Sequence, residues 1–217
     1  MYNYDMTKGT MTLPCKRCGK FNTMNTWYNL NSKNNKKQKK LLLKGELFKY
    51  KCEKCKNIIL VGYEMMYHDV KNKVIIYLDQ QSQYTEQIKH KIDLQRKELG
   101  GEYRFRIVNS VKKLQEKANI FEFGFDDRII ELIKLEATMQ LCNSMPQLRV
   151  DNILFEYKHR KIIFNVFGFD VERDSEFSFP FTMDKDEYNF NKKIIHSKTI
   201  LSDSLIVNDR WARKMVI

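Results

Sequence analysis

The chain has 217 residues, 42% hydrophobic and 12% aromatic, enough for one large folded domain or two small ones. It contains no run of 18 or more apolar residues, which excludes a membrane-spanning helix of ordinary kind. The net charge of +12 is unevenly placed: residues 1–58 hold 14 Lys and Arg against Asp5, Glu46 and Glu53, whereas the remainder is balanced to within one charge. That asymmetry points to a polyanionic partner for the N-terminal part, a nucleic acid or an acidic protein.

"MYNYDMTKGT" lacks the basic-then-apolar order of a secretory signal, so export is not expected. Five cysteines follow, four of them in C-x-x-C pairs. In a reducing cytoplasm, the compartment expected here, such pairs read as metal ligands or redox sites before they read as disulfides.

The first pair lies in "TLPCKRCGKF" and the second in "FKYKCEKCKNIILVGY", each with strand–knuckle–strand character. A C-x-x-C knuckle turns both sulfurs to one side, and two knuckles close a tetrahedron of thiolates around Zn²⁺. A thioredoxin-type site needs one such pair in a βαβ context, and a catalytic zinc keeps an open position that four cysteines would fill. The expectation is one structural zinc held by Cys15, Cys18, Cys52 and Cys55 in a zinc-ribbon-like domain. Gly19 stands where the first knuckle needs a left-handed residue. Lys56-Asn57 stand there in the second, and Asn tolerates that conformation. The stretch "NSKNNKKQKK" between the pairs reads as a polar, mobile loop.

Farther on, "VKNKVIIYLD" predicts a turn and a strand, and residues 84–99 a thinly apolar connecting helix that Gly100-Gly101 ends. "YRFRIV" alternates as a strand does. Asn109 or Ser110 then caps a helix with Val111, Leu114, Ala118 and Phe121 inward, stopped by Gly124. Asp126 or Asp127 caps a stronger helix carrying Ile129, Ile130, Ile133 and Leu135. From Leu148 the period falls to two in "LRVDNILFEYK", "KIIFNVFGFDV", "EFSFPFTM" and "NKKIIHSKTI", the first two joined by the hairpin-length link His159-Arg160. The fold expected is α+β: a zinc-ribbon-like domain over 1–80, a connecting helix over 81–101, and over 102–217 an α+β domain with two helices before antiparallel strands.

Trp27 and Tyr28 lie among Arg17, Lys20, Lys36, Lys37, Lys39 and Lys40, and aromatics interleaved with bases are what single-stranded nucleic acid uses. These eight residues are the candidate nucleic-acid contacts. Other constellations carry weaker chemistry. His68-Asp69 could pair as a general base, although adjacent residues in a turn rarely face each other. Asp151, Glu156 and Lys158 resemble the D…E-x-K set of metal-dependent nucleases, and Glu122, Asp126, Asp127 and Glu131 could attract Mg²⁺, although acids at a helix start are favoured by its dipole anyway. Cys142 and the Phe-rich strands read as packing.

"KLLLKGELFKYKCEKCKN", "YEMMYHDVKNKVIIYLD" and "RIVNSVKKLQEKANIFEFGFDDRIIELIKLEA" together resemble the CpXC family of bacterial proteins, named for two Cys-Pro-x-Cys pairs. Lys16 and Glu53 stand where that name has proline, which leaves the sulfurs unaffected. The resemblance implies a zinc-ribbon-like domain with an α+β companion and no particular activity. The function expected is a zinc-binding, non-enzymatic module that docks through its basic ribbon. The alternatives are a nuclease using Asp151, Glu156 and Lys158, or a structural protein–protein adaptor. No oligomeric state follows from the pattern.

Overall fold

Both cysteine segments form β-hairpins. In the computed structural model, which describes residues 7–82, 85–198, 201 and 203–216, strand β1 (Gly9–Pro14) pairs antiparallel with β2 (Phe21–Thr26). The short β3 (Asn29–Asn31) and helix α1 (Lys36–Leu43) follow, then a second hairpin of β4 (Lys49–Lys51) and β5 (Ile58–Leu60). The "NSKNNKKQKK" stretch is therefore a loop only as far as Asn35; its second half, residues 36–40, belongs to α1. Leu42 is fully buried, and Lys39 reaches the buried carboxylate of Asp69 at 3.8 Å. Burying one leucine is worth ~1.5–3 kcal/mol, more than the few tenths of a kcal/mol that each like-charged pair costs along the helix surface. Gly45 ends the helix at φ +70°, with its own amide bonded to Leu42 O and the Glu46 amide to Leu41 O. Gln115 Nε2 secures the end by donating to Leu43 O at 3.2 Å.

Strands β6 (Met65–Asp69) and β7 (Val74–Leu78) make an antiparallel hairpin. Helix α2 (Thr85–Leu99) then crosses over to β8 (Arg104–Val108), which lies parallel to β7, while β3 lies parallel to β6 on the other side. The sheet order is β3-β6-β7-β8. Every residue of β7 is buried, as a central strand covered on both faces requires. Helix α2 belongs to this core: Ile88 and Ile92 are fully buried, and Gln95 takes a hydrogen bond from Tyr77 Oη at 2.7 Å. It is the crossover of a β–α–β unit, and Gly100-Gly101 is a turn within that unit. The chain divides into two units after Ala118, inside helix α3 (Val111–Glu122). The expected boundary near residue 101 is displaced because β8 completes a sheet begun by residues far earlier.

Helix α3 starts at Ser110, whose Oγ accepts from Lys113 N, and ends at Gly124, with φ +78°. In the second unit, helix α4 (Asp127–Ser144) packs on a meander of β9 (Leu148–Lys158), β10 (Lys161–Asp170) and β11 (Ser175–Met183), in order β11-β10-β9. His159 and Arg160 take φ +50° and +62°, the two left-handed residues that a tight hairpin turn needs. Ile129, Ile130 and Ile133 meet Ile153, Phe155, Ile162, Phe164 and Val166 in its core.

The described part of the last expected strand, residues 191–198, belongs instead to helix α5 (Lys185–Lys198), and residues 199 and 200 lie outside the described residues. Asp184 Oδ1 accepts the amides of Asp186 and Glu187, and Glu187 reaches back to Asp184 N, a reciprocal cap that outweighs the period-two pattern. Helix α6 (Asp209–Val216) closes the unit, with Trp211 and Ala212 buried against Leu132 and Leu135. Among the described residues, six helices and antiparallel pairings make the fold α+β, and no helix is long and apolar enough to cross a membrane.

Candidate metal centre

The two knuckles repeat one backbone pattern. Cys15 N donates to Lys20 O and Gly19 N to Cys15 O, both at 2.8 Å. Cys52 N donates to Asn57 O at 2.8 Å and Lys56 N to Cys52 O at 3.0 Å. The left-handed position falls on Gly19 (φ +70°) and on Lys56 (φ +59°), not on Asn57. Its equivalence to Gly19 in the hydrogen-bond ladder fixes which residue must turn.

The fold brings the four expected ligands together. Cys15 Sγ lies 3.6 Å from Cys55 Sγ, Cys18 Sγ lies 3.6 Å from Cys52 Sγ, and all four sulfurs fall within 4.8 Å of one another. None of the four is in a disulfide. Among the described residues no other group of His, Cys, Asp and Glu gathers in this way. Amides aimed into the knuckles favour thiolate. The Arg17 amide leads in holding Cys15 below the ordinary thiol range against its burial, and the Cys55 amide leads in bringing Cys52 down to about 6. At Cys55 the Asn57 amide acts the same way, but burial and the three neighbouring sulfurs outweigh it and push the thiol up to about 11. Four sulfurs this close resist full ionisation until a cation arrives, and a soft dication in their midst removes the conflict. The donor set fits a tetrahedral metal with a closed shell.

Asn22, a residue that sequence reasoning passed over, joins the two knuckles. It is 6% exposed on β2. Its Nδ2 donates to Lys20 O at 2.7 Å and lies 3.6 Å from Cys52 Sγ, while its Oδ1 accepts Glu53 N at 3.0 Å. Tyr50 Oη adds a second stitch by donating to Asn25 O on β2, and the buried Tyr63 Oη accepts Trp27 N at 3.3 Å.

The eight proposed nucleic-acid contacts separate. Trp27 is half-buried under Lys8 Nζ, 5.0 Å from its ring, and lines a cavity of about 330 Å³ with Asn25, Leu41 and Tyr50. Tyr28 packs edge-on against Tyr63. Lys39 is turned inward to Asp69, whose carboxylate also accepts from Ser32, Tyr67 and Asn72. Lys36, Lys37 and Lys40 are exposed and, with Lys44, lie on one side of α1 at helical spacing. Arg17 and Lys20 are exposed at the first knuckle. Among the described residues, no carboxylate comes within ion-pair distance of Arg17, Lys20, Lys36, Lys37 or Lys40.

The weaker constellations do not assemble. His68 meets Tyr103 Oη at 3.0 Å and not the Asp69 carboxylate, and burial leads in lowering its pKa. Asp151 pairs with Arg149 at 3.0 Å and is the extra residue of a bulge opposite Phe167/Gly168. Five residues of extended strand put it on the order of 16 Å from Glu156, too far to share a metal. Asp126 is used by Arg128, and Glu131 pairs with Lys134 at 3.5 Å. Cys142 faces the Leu148 carbonyl.

No curated protein and no solved structure matches the chain. The family model described as CpXC protein matches residues 13–134, which include both knuckles, the β6–β7 hairpin and the first turns of α4. Because that match spans more than half of the sequence and holds the four clustered sulfurs, the chain belongs to the CpXC family.

Proposed function

We propose that the protein is a zinc-fastened, non-enzymatic binding module that docks on single-stranded nucleic acid through α1. Zinc is the metal that the donor set favours: a Zn–S distance of ~2.3 Å in a tetrahedron implies sulfurs about 3.8 Å apart, against 3.6 Å for the two nearest pairs. Four thiolates leave no open position, so the metal holds structure and does no chemistry.

The observation that carries the docking surface is the lysine face of α1. A dication with four thiolates has a net charge of −2, which Lys16, Arg17, Lys20 and Lys54 surround and offset. Lys36, Lys37, Lys40 and Lys44 have no such anion, and like charges at i,i+4 work against the helix that displays them. A helix anchored by Leu42 and Lys39 tolerates that repulsion, and phosphates would relieve it.

Anisotropy of a labelled single-stranded oligonucleotide, titrated over a range of salt, tests the reading. Log affinity is expected to fall linearly with log salt at roughly −0.7 per phosphate contact. The Lys36→Glu/Lys37→Glu/Lys40→Glu variant should lose the binding. No binding at low salt, or an unchanged slope in that variant, would overturn it.

A further inference from the structure

The outer edge of β5 is a second exposed surface, separate from α1. The bonds Cys52 N–Asn57 O and Val61 N–Phe48 O fix the phase of the β4–β5 ladder. Tyr50 and Ile59 therefore form the hydrogen-bonded pair between them. Lys51/Ile58 and Lys49/Leu60 are the non-bonded pairs that flank it. Two consequences follow. The side chains of Lys49, Lys51, Ile58 and Leu60 share one face, each lysine directly opposite an aliphatic. The backbone N–H and C=O of Ile58 and Leu60 point away from β4, toward open space.

Ile58 and Leu60 are 55% and 68% exposed. Among the described residues the Ile58 carbonyl takes only the Asn57 side-chain amide, at 3.3 Å, and nothing takes the Ile58 and Leu60 N–H groups. An exposed aliphatic strand with unpaired backbone groups is a template for another strand.

We propose that β5 accepts an extended, acidic segment of a partner protein as the third strand of this sheet. The charge argues for that occupant. A second copy would set a second lysine-rich hairpin and knuckle beside this one, with no acid on either β5 to answer Lys51, Lys54 and Lys56. Asp or Glu flanking β-branched residues would instead cover the aliphatics and come within reach of those three lysines; Lys49 is already paired with Glu46 at 2.9 Å. The two cysteines of the knuckle hold the hairpin rigid, so little ordering is lost when a strand is added. This surface does not depend on α1 binding nucleic acid.

Random octapeptides displayed on phage and selected on the zinc-loaded full chain test it. Enriched peptides are expected to carry Asp or Glu around alternating β-branched residues and to slow hydrogen exchange at the Ile58 and Leu60 amides. Affinity should drop tenfold or more when alternate peptide amides are N-methylated, or in Leu60→Asp. That position is exposed, and zinc content checks that the variant folds. The α1 triple variant should bind the peptide normally, which separates this surface from the nucleic-acid one. The proposal falls if selection enriches no peptide, if N-methylated peptides bind undiminished, or if the two amides stay unprotected. A dimer in light scattering that Leu60→Asp abolishes would assign the edge to a second copy and overturn it as well.

Discussion

Asn22 accepts the backbone amide of Glu53 at 3.0 Å, and the same side chain lies 3.6 Å from the Cys52 sulfur. One amide group thus reads both the backbone and a ligand of the opposite knuckle. It can do so because residue 53 is not proline: the residue that the family name places there has no N–H to give. Partners of this kind typically change metal affinity 10–100-fold when removed. Asn22→Ala is expected to weaken zinc binding within that range, measured by competition with a chelating dye. Glu53→Pro should weaken it less, since it removes one of the three bonds and leaves the Cys52 contact. Equal affinity in Asn22→Ala and the parent chain would show that the sulfurs alone set the site.

Removing the metal should unfold both hairpins together. Each is short, and β4 and β5 have three residues apiece, too few to persist alone in water. Structural zinc supplies ~10 kcal/mol or more to folding at neutral pH. Native mass spectrometry should find one zinc per chain. A chelator should abolish amide protection in residues 9–26 and 49–60 while leaving β9–β11 protected. A chain without zinc, or a metal whose X-ray absorption shows a bound water, would refute the closed four-sulfur site.

The ligands were legible in the sequence because a C-x-x-C knuckle is local: spacing alone directs both sulfurs to one side. What was misread depended on contacts distant in sequence. Lys36–Lys40 looked like part of a solvated loop because nothing near it announces that Asp69, thirty residues later, will hold Lys39. The boundary at Gly100-Gly101 looked sound because glycines end α2, yet β8 pairs with β7 across that helix. The α5 error was avoidable: Asp184 and Glu187 stand at capping-box spacing in the sequence, and the alternation after them was given too much weight.

Lys39 and Lys40 are neighbours with opposite expected behaviour. Lys39 faces Asp69, which is fully buried, so Lys39→Ala should lower stability by ~1–2 kcal/mol, the scale for weakening a buried, hydrogen-bonded charge. It should leave the salt slope of nucleic-acid binding unchanged. Lys40→Ala is exposed and should do the reverse, with stability within about 0.5 kcal/mol of the parent and a shallower slope. Urea unfolding and oligonucleotide titration on the same two variants check both halves. If Lys39→Ala flattens the slope as much as Lys40→Ala, the inward assignment of Lys39 is wrong.

Asp126 gives the second unit a defined acid sensitivity. Burial by itself would raise its pKa, but the Arg128 side chain and amide more than reverse this and lower it below the ordinary 3.8. The carboxylate accepts Arg128 N at 3.0 Å, capping α4, and pairs with the guanidinium through Oδ1 at 3.1 Å and Oδ2 at 2.8 Å. A depressed carboxyl contributes stability that is complete above its unfolded value and is lost as pH falls below about 3.8 through the folded value. Asp126→Ala removes cap and pair, and should cost ~1 kcal/mol or somewhat more at pH 7. Asp126→Asn keeps a good cap and loses only the charge, so it should cost less. The gap between Asp126→Asn and the parent should then narrow as the pH falls below about 3.8, because the parent carboxyl progressively loses the advantage of its charge. Trp211, buried against α4, reports this unfolding by fluorescence in a Trp27→Phe background. A gap that stays constant from pH 7 to pH 3 would mean that the Arg128 pair adds nothing to the cap.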